Sequence, residues 1–302
     1  MNVVAVVGPT ASGKSAVAEA LARFYGADIL SVDSMQVYRG MDIGTAKPSA
    51  AIRTEISHHM IDLVAASEEL SVAQFQTIGR DALGGRDRVV IVGGSGMHFR
   101  AIVDPLEFAP TDPDVRANIE ATPIEQLQHE LLAIDHRAPD VLDIHNPRRV
   151  IRAIEVWRIS GLTPTERETS PQAVDVRSYR PNIEHVSIGM DAGDDTLDRI
   201  RNRLSSMIEA GFVEEVAALE STMSRTARQA VGYKELIAAI SSETSLSESI
   251  ADIERSTAAL ARRQRTYFRR DPRIHWMHWL KDEVDRVKAA IEYVGKVAGW
   301  TL

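Results

Sequence analysis

Gly8, Pro9, Thr10, Ala11, Ser12, Gly13, Lys14 and Ser15 spell G-x-x-x-x-G-K-S, the spacing of a phosphate-binding loop. An apolar run at residues 3–7 precedes them and a helical pattern at 16–25 follows. That context gives the motif its mechanism. A buried strand delivers the chain to a turn whose backbone N–H groups point at a phosphate, and the next helix adds the positive end of its dipole. Lys14 supplies a point charge and Ser15 a hydroxyl suited to Mg²⁺. These eight residues predict a site for a diphosphate or triphosphate, nucleotides included.

Asp33 is the second candidate. It closes the apolar stretch 29–32, and doubly wound sheets hold their ligands beyond such carboxyl ends. An aspartate there can ligate a metal or serve as a general base, and its type alone leaves both open. In the polar loop that follows, Gln36 has an amide able to read a base edge and Lys47 a charge able to reach a phosphate. Gly93, Gly94, Ser95 and Gly96 follow another apolar stretch and permit close approach of backbone to ligand. Glycine stands there instead of the second acid of a nucleoside triphosphatase, which weakens an ATP-hydrolase reading. Arg199 and Arg203, one helical turn apart, read as a solvated helix face or as guanidiniums able to clamp a leaving diphosphate bidentately. The run Arg262-Arg263-Gln264-Arg265-Thr266-Tyr267-Phe268-Arg269-Arg270 interleaves aromatics with cations, as a contact to a nucleic-acid backbone does. His58 and His59 lack a third ligand at metal spacing and read as structural or substrate-side residues.

The elements that must position these residues alternate. Strands are expected at 3–7, 29–32, 89–92 and 185–190, and a helix at 14–25 is stopped by Gly26. Proline and acidic residues at 105–113 mark a boundary, after which the pattern is helical from 112 to about 168. The clearest helix there has Asn146 as N-cap, Pro147 at its first position and Gly161 just past its end. Residues 169–180 read as a connection, and long helices are expected at 196–211 and about 246–270. The fold class is α/β: a doubly wound parallel sheet like that of the P-loop NTPases, with an inserted all-helical subdomain and C-terminal helices. The core is expected at 1–111 and 180–302, the insertion at 112–179.

With 302 residues, 44% hydrophobic and 26% charged, the composition is that of a soluble globular protein. Absence of cysteine excludes a disulfide framework and any Cys-based zinc site. No stretch is long and apolar enough for a membrane span, so a cytoplasmic location is expected. The net charge of −8 excludes a uniformly basic protein but leaves room for local basic stripes.

GPTASGKS, SVDSMQVYRGMDIGTAKP, HHMID, VGGSG and RRQRTYFRR together resemble the bacterial tRNA dimethylallyltransferases, also called tRNA isopentenyl transferases. The resemblance extends from residue 4 to about 276, and DIGTAKP joined to this loop is its most specific part. It implies transfer of the dimethylallyl group of dimethylallyl diphosphate to the exocyclic amine of an adenosine. That adenosine lies immediately 3′ of the anticodon in tRNAs reading codons that begin with U. The resemblance makes Asp33 the general base. Lys14 and Ser15 hold the diphosphate, Ser15 with Mg²⁺, and Arg203 steadies the leaving group. Asp33, Ser34, Met35 and Gln36 fall where the family touches tRNA, as do Ser95, Arg116, Arg148, Arg149, Val150, Ile151 and Arg152. So do Gln229, Ala230, Val231, Gly232, Tyr233 and Lys234. The insertion and the late arginine helix are expected to grip the anticodon stem-loop from two sides, with the protein a monomer. Two positions depart from the family pattern: Ser95 replaces a threonine, and His98 stands near a common tyrosine. A small-molecule kinase and a non-catalytic RNA-binding module are the competing readings. Neither accounts for the whole motif set.

Overall fold

The computed structural model describes residues 2–301. The chain forms two compact units, one of residues 1–103 and 183–302, the other of residues 104–182.

The first unit is built on strands β1 (Val3–Val7), β2 (Asp28–Ser31), β3 (Tyr38–Arg39), β4 (His58–His59), β5 (Val64–Ala65), β6 (Val89–Gly93), β7 (Val186–Gly189) and β8 (Ile274–Trp276). Six of them make one sheet in the order β4-β2-β6-β1-β7-β8, every neighbouring pair parallel. β3 and β5 make a separate two-stranded sheet. The unbroken apolar run of β1 has a simple cause. Val3, Ala5 and Val7 face one core cluster, while Val4 and Val6 face the other. A strand buried on both faces has no position for a polar residue.

The helix Lys14–Tyr25 ends where Gly26 adopts φ 63°, and helix Val72–Leu83 opens with a capping box of Ser71 and Gln74. Four long or medium helices expected from periodicity appear within two residues of their bounds, among them Thr196–Glu209 and Leu246–Phe268. The strand edges shift by about one residue, because hydrogen bonding rather than hydrophobicity ends a strand. The short edge strands β4 and β8 and the separate β3–β5 pair carry too few residues for an alternation signal.

The second unit is helical throughout its regular structure. Val150, Ala153 and Ile154 of helix Pro147–Ser160 pack on Ile119, Leu127, Leu131 and Ala138. Asn146 caps that helix by accepting from the Arg148 amide at 3.1 Å, and Gly161 closes it at φ 74°. The unit begins at residue 104, ahead of the expected 112. The expected connection at 169–180 holds a further helix, Pro171–Arg177, started by Ser170 at its N-cap and Pro171 at N1. Its seven residues are too few to show a periodicity.

Val103 and Ile183 are hydrogen-bonded to each other at 3.1 Å, so the first unit's chain leaves and returns at adjacent points. No helix among the described residues is long and apolar enough to cross a membrane.

Candidate active site

Strands β1, β2 and β6 all deliver chain to one end of the sheet. β1 leads into the glycine-rich turn 8–13, β2 into Asp33, β6 into residues 94–96. Gly8 must be glycine, since it has φ 150° and a Cβ there would lie 2.1 Å from the Met190 carbonyl oxygen. A cavity of about 370 Å³ opens at this end. Thr10, Lys14, Ser15, Asp33, Ser95 and Arg203 bring its polar chemistry, while Met35, Leu204, Met207, Phe212 and Tyr267 give apolar wall.

Lys14 donates to the Pro9 carbonyl at 3.1 Å, which folds its ammonium back over the loop. Burial and the nearby Arg203 cation hold that ammonium down to about 8, with Asp33 opposing them. Arg203 reaches in from helix Thr196–Glu209 and donates to Thr10 Oγ1 at 3.1 Å. Burial lowers its pKa while Asp33 raises it, and a guanidinium stays cationic throughout. Arg199, one turn earlier, does not line the cavity: it donates to the Ala11 carbonyl at 2.7 Å. The two arginines that looked equivalent in the sequence are thus separated, one in the site and one outside it. Ser12 Oγ is buried without a partner, an orphan polar atom inside the loop.

Asp33 Oδ1 accepts from the Met35 amide at 2.8 Å and the Gln36 amide at 3.4 Å, so the carboxylate is oriented by its own turn. Gln36 is occupied within the protein. Its Oε1 accepts from Ser31 at 2.8 Å and its Nε2 donates to the Thr45 and Ala46 carbonyls. Lys47 is likewise consumed, donating to the Tyr38 carbonyl at 2.6 Å and to Asp42 and Asp62 at 2.7 and 2.5 Å. It locks the DIGTAKP loop rather than reaching for phosphate. His98 Nδ1 lies 2.7 Å from Ser95 Oγ. Burial lowers its pKa against the pull of Asp33, and its ring meets Phe75 edge-on at 4.5 Å.

Three pairings escape a sequence reading. Glu215, on helix Phe212–Leu219, accepts from the amides of Asp42, Ile43 and Gly44 at 2.8, 2.7 and 3.1 Å and from Tyr233 Oη at 2.6 Å. One carboxylate therefore fixes both a loop and a cavity wall. Gln264 accepts from the Thr10 amide at 2.8 Å, tying the late helix to the glycine-rich turn. Gly96 admits the Tyr267 ring, which a Cβ would overlap at 2.1 Å. All three are long-range pairings. The signal available was the turn 42–44 itself, whose three consecutive amides require an acceptor.

The expected nucleic-acid residues divide. Met35, Ser34, Gln36, Ser95, Ala230, Val231, Gly232 and Tyr233 all line the cavity, while Gln229 and Lys234 are exposed outside it. In the helical unit Arg148 and Arg149 are exposed, Ile151 is half-buried and Val150 is fully buried. Val150 belongs to the unit's core, because it falls on the apolar stripe of its helix. Arg116 and Arg152 both donate to buried Glu155, at 2.6 and 2.8 Å. Burial would raise that carboxyl's pKa, but the two guanidiniums hold it below the usual range. His58 and His59 are bonded within the protein, to the Ile56 carbonyl at 2.7 Å and to Asp28 at 2.9 Å. No acid–histidine cluster of metal-site size occurs among the described residues.

In the late basic run, Arg262, Arg263 and Arg270 are exposed. Arg265 instead grips Asp191 through two bonds of 2.7 Å, and Arg269 lies over Trp276 at 4.1 Å. Burial pushes the Asp191 carboxyl up, yet Arg265 pulls it below the ordinary value. The stability this pair gives is therefore complete at neutral pH and lost as pH falls through that lowered value. Asp191→Asn should cost on the order of 2–3 kcal/mol by removing the charge opposite Arg265. Denaturant melts at pH 7 measure it, and a change under about 0.5 kcal/mol would mark the pair as an ordinary surface contact.

The IPP transferase family model matches residues 36–271, and an isopentenyl transferase model matches residues 1–61. A tRNA dimethylallyltransferase of Bifidobacterium animalis subsp. lactis is 39% identical over 307 aligned residues, covering 97% of this chain and 87% of that protein. One from Streptomyces coelicolor is 41% identical over 292, covering 91% of this chain and 90% of its own length. Among solved structures, the full-length tRNA isopentenylpyrophosphate transferase of Bacillus halodurans superposes with a TM-score of 0.69 at 33% identity, covering 99% of this chain and 96% of that one. With a family model spanning most of its length and relatives near 40% identity over nine-tenths of it, this chain belongs to the IPP transferase family.

Proposed function

We propose that this protein transfers the dimethylallyl group of dimethylallyl diphosphate to the exocyclic amine of the adenosine immediately 3′ of the anticodon, in tRNAs reading U-starting codons. The observation that carries the proposal is the meeting, in one cavity, of a glycine-rich loop, two cations and the Asp33 carboxylate, which follows β2 and lies near enough to raise the pKa of both cations. A phosphate loop of the P-loop NTPase type suits a diphosphate that departs. The Asp33 carboxylate suits the removal of a proton from the incoming amine.

The residues then act as follows. Loop amides, Lys14 and Ser15 bind the diphosphate, and Arg203 adds a second cation as charge grows on it. The adenine amine attacks the first carbon of the prenyl chain. The carbon–oxygen bond breaks, its electron pair leaves with the diphosphate, and the amine proton passes to Asp33. The Ser15 hydroxyl lines the cavity beside the loop and is an oxygen donor of the kind a hard divalent cation takes. Ser15 would hold Mg²⁺, which when bound neutralises part of the diphosphate charge.

A stacked adenine cannot enter such a cavity, so the base is flipped from the anticodon loop. Met35, Ser95 and residues 230–233 would surround it. Arg148 and Arg149 of the helical unit, Arg262 and Arg263 of the late helix and Arg270 just past its end are exposed cations able to meet tRNA phosphates. The Arg262→Glu, Arg270→Glu double variant should weaken all substrate tRNAs together and reduce the slope of log affinity against log salt by about 2. An effect confined to one tRNA would contradict backbone contact. The function itself is tested by diphosphate release: it should require both dimethylallyl diphosphate and tRNA. ATP consumption independent of tRNA would replace it with a kinase.

A further inference from the structure

Outside the cavity, two arginines approach the glycine-rich turn from behind, and one tryptophan lies against both. Ala11 stands at φ 62°, a left-handed conformation unfavourable for a residue with a Cβ. Its carbonyl oxygen accepts from Arg199 Nε at 2.7 Å. The Arg199 guanidinium lies 5.3 Å from the centre of the Trp279 ring, and Arg286 lies 4.4 Å from the same ring. Trp279 is itself fixed, because its Nε1 donates to Asp195 Oδ2 at 2.8 Å, and Asp195 immediately precedes the helix bearing Arg199 and Arg203.

Arg286 is 3% exposed. Its Nη1 donates to the Leu280 and Lys281 carbonyls at 2.5 and 2.8 Å, and Nη2 is 3.6 Å from Glu283. Its Nε is buried with no partner. A Cβ placed on Gly13 would sit 3.5 Å from Arg199 Nη2 and 3.8 Å from Arg286 Nε. Two like-charged guanidiniums therefore converge on the residue before Lys14, joined by an aromatic ring.

We propose that Arg199, Trp279 and Arg286 are positioning residues for the donor diphosphate, with Trp279 holding the two guanidiniums against the outside of residues 11–13. The assignment rests on the reading of this loop as the diphosphate site. Arg199 keeps Ala11 in its strained conformation, so the loop amides are preset before the ligand arrives. Both cations also add positive potential at short range in a poorly solvated setting, where it decays least. Neither touches the cavity, so a flipped adenine does not sense them. The charge and the geometry both act on the donor alone.

The test compares Trp279→Leu, Trp279→Phe and Lys14→Met with the parent protein. Its readouts are the Kd for inorganic diphosphate with Mg²⁺, the KM for each substrate, and thermal melting. Trp279→Leu should weaken diphosphate binding and raise the KM for dimethylallyl diphosphate about tenfold, the scale of a desolvated cation–π pair. Its KM for tRNA should stay at the parent value. Trp279→Phe, which keeps an aromatic face, should recover most of the loss. The proposal is overturned if Trp279→Leu leaves diphosphate affinity at the parent value while Lys14→Met weakens it. It is equally overturned if donor and tRNA KM rise together with a lowered melting temperature, the mark of general loosening. Unchanged diphosphate affinity in Lys14→Met would overturn the loop assignment first, and this inference with it.

Discussion

Replacing Asp33 with asparagine will slow single-turnover prenyl transfer about 10²–10⁴-fold, the range for losing a general base. Affinity for tRNA should hold within a few-fold. Asparagine is the informative choice because it keeps an Oδ1 acceptor for the Met35 and Gln36 amides, at 2.8 and 3.4 Å in the parent. The turn and the cavity wall then survive, and only the site for the proton is lost. An Asp33→Ala change would mix that loss with a relaxed turn. A single-turnover rate within a few-fold of parent for the asparagine variant would remove Asp33 from the chemistry and leave it a loop residue.

The second large effect lies in Lys14. Lys14→Met should weaken dimethylallyl diphosphate about 10–100-fold, since a charge-assisted contact to phosphate is lost and nothing replaces it. The parent protein should show a matching pH dependence. Burial and Arg203 hold the ammonium down to about 8 against its ordinary 10.5. Below pH 8 it is already protonated and donor affinity is flat. Above that, binding must first take up a proton, so affinity falls by up to about tenfold per pH unit. The fall stops at the pKa of the donor-bound form, which the diphosphate raises. Folding has the opposite sign. The unfolded chain binds this proton up to pH 10.5 and the folded chain only to about 8, so this group makes stability rise across that window. Loss of donor affinity above pH 8 is therefore not incipient unfolding. Lys14→Met should show no such fall, and an identical fall in both proteins would assign the titration elsewhere.

The sequence carried the parts of the site that depend on local geometry. Residues 3–25 had to form a strand–turn–helix, and β1 had to be buried on both faces, because each follows from residue type at short spacing. Asp33 could be placed at a strand end for the same reason. What it could not supply was the assignment of polar groups across the fold. Lys47 and Arg265 carry the charge of a phosphate contact, yet each is satisfied by carboxylates 15 and 74 residues away. Nothing in its own segment marks Glu215, and its role comes only from the loop 42–44 folded onto it. Arg199 and Arg203 are indistinguishable by spacing, and only the placement of helix Thr196–Glu209 sends one into the cavity and one behind the loop. Val150 illustrates the reverse case. It stands with Ile151, Ile154 and Trp157 at the spacing of one apolar helix stripe, a core position, whereas the resemblance of the whole 148–152 run implied contact with tRNA.

The most direct measurement supplies the purified protein with Mg²⁺, dimethylallyl diphosphate labelled in its prenyl group, and an anticodon stem-loop carrying adenosine just after the anticodon. Label should enter the RNA, one group per molecule, and disappear when that single adenosine is replaced by guanosine. Label entering at another position, or no transfer with the donor bound and intact, would contradict the proposed acceptor and the chemistry assigned to Asp33.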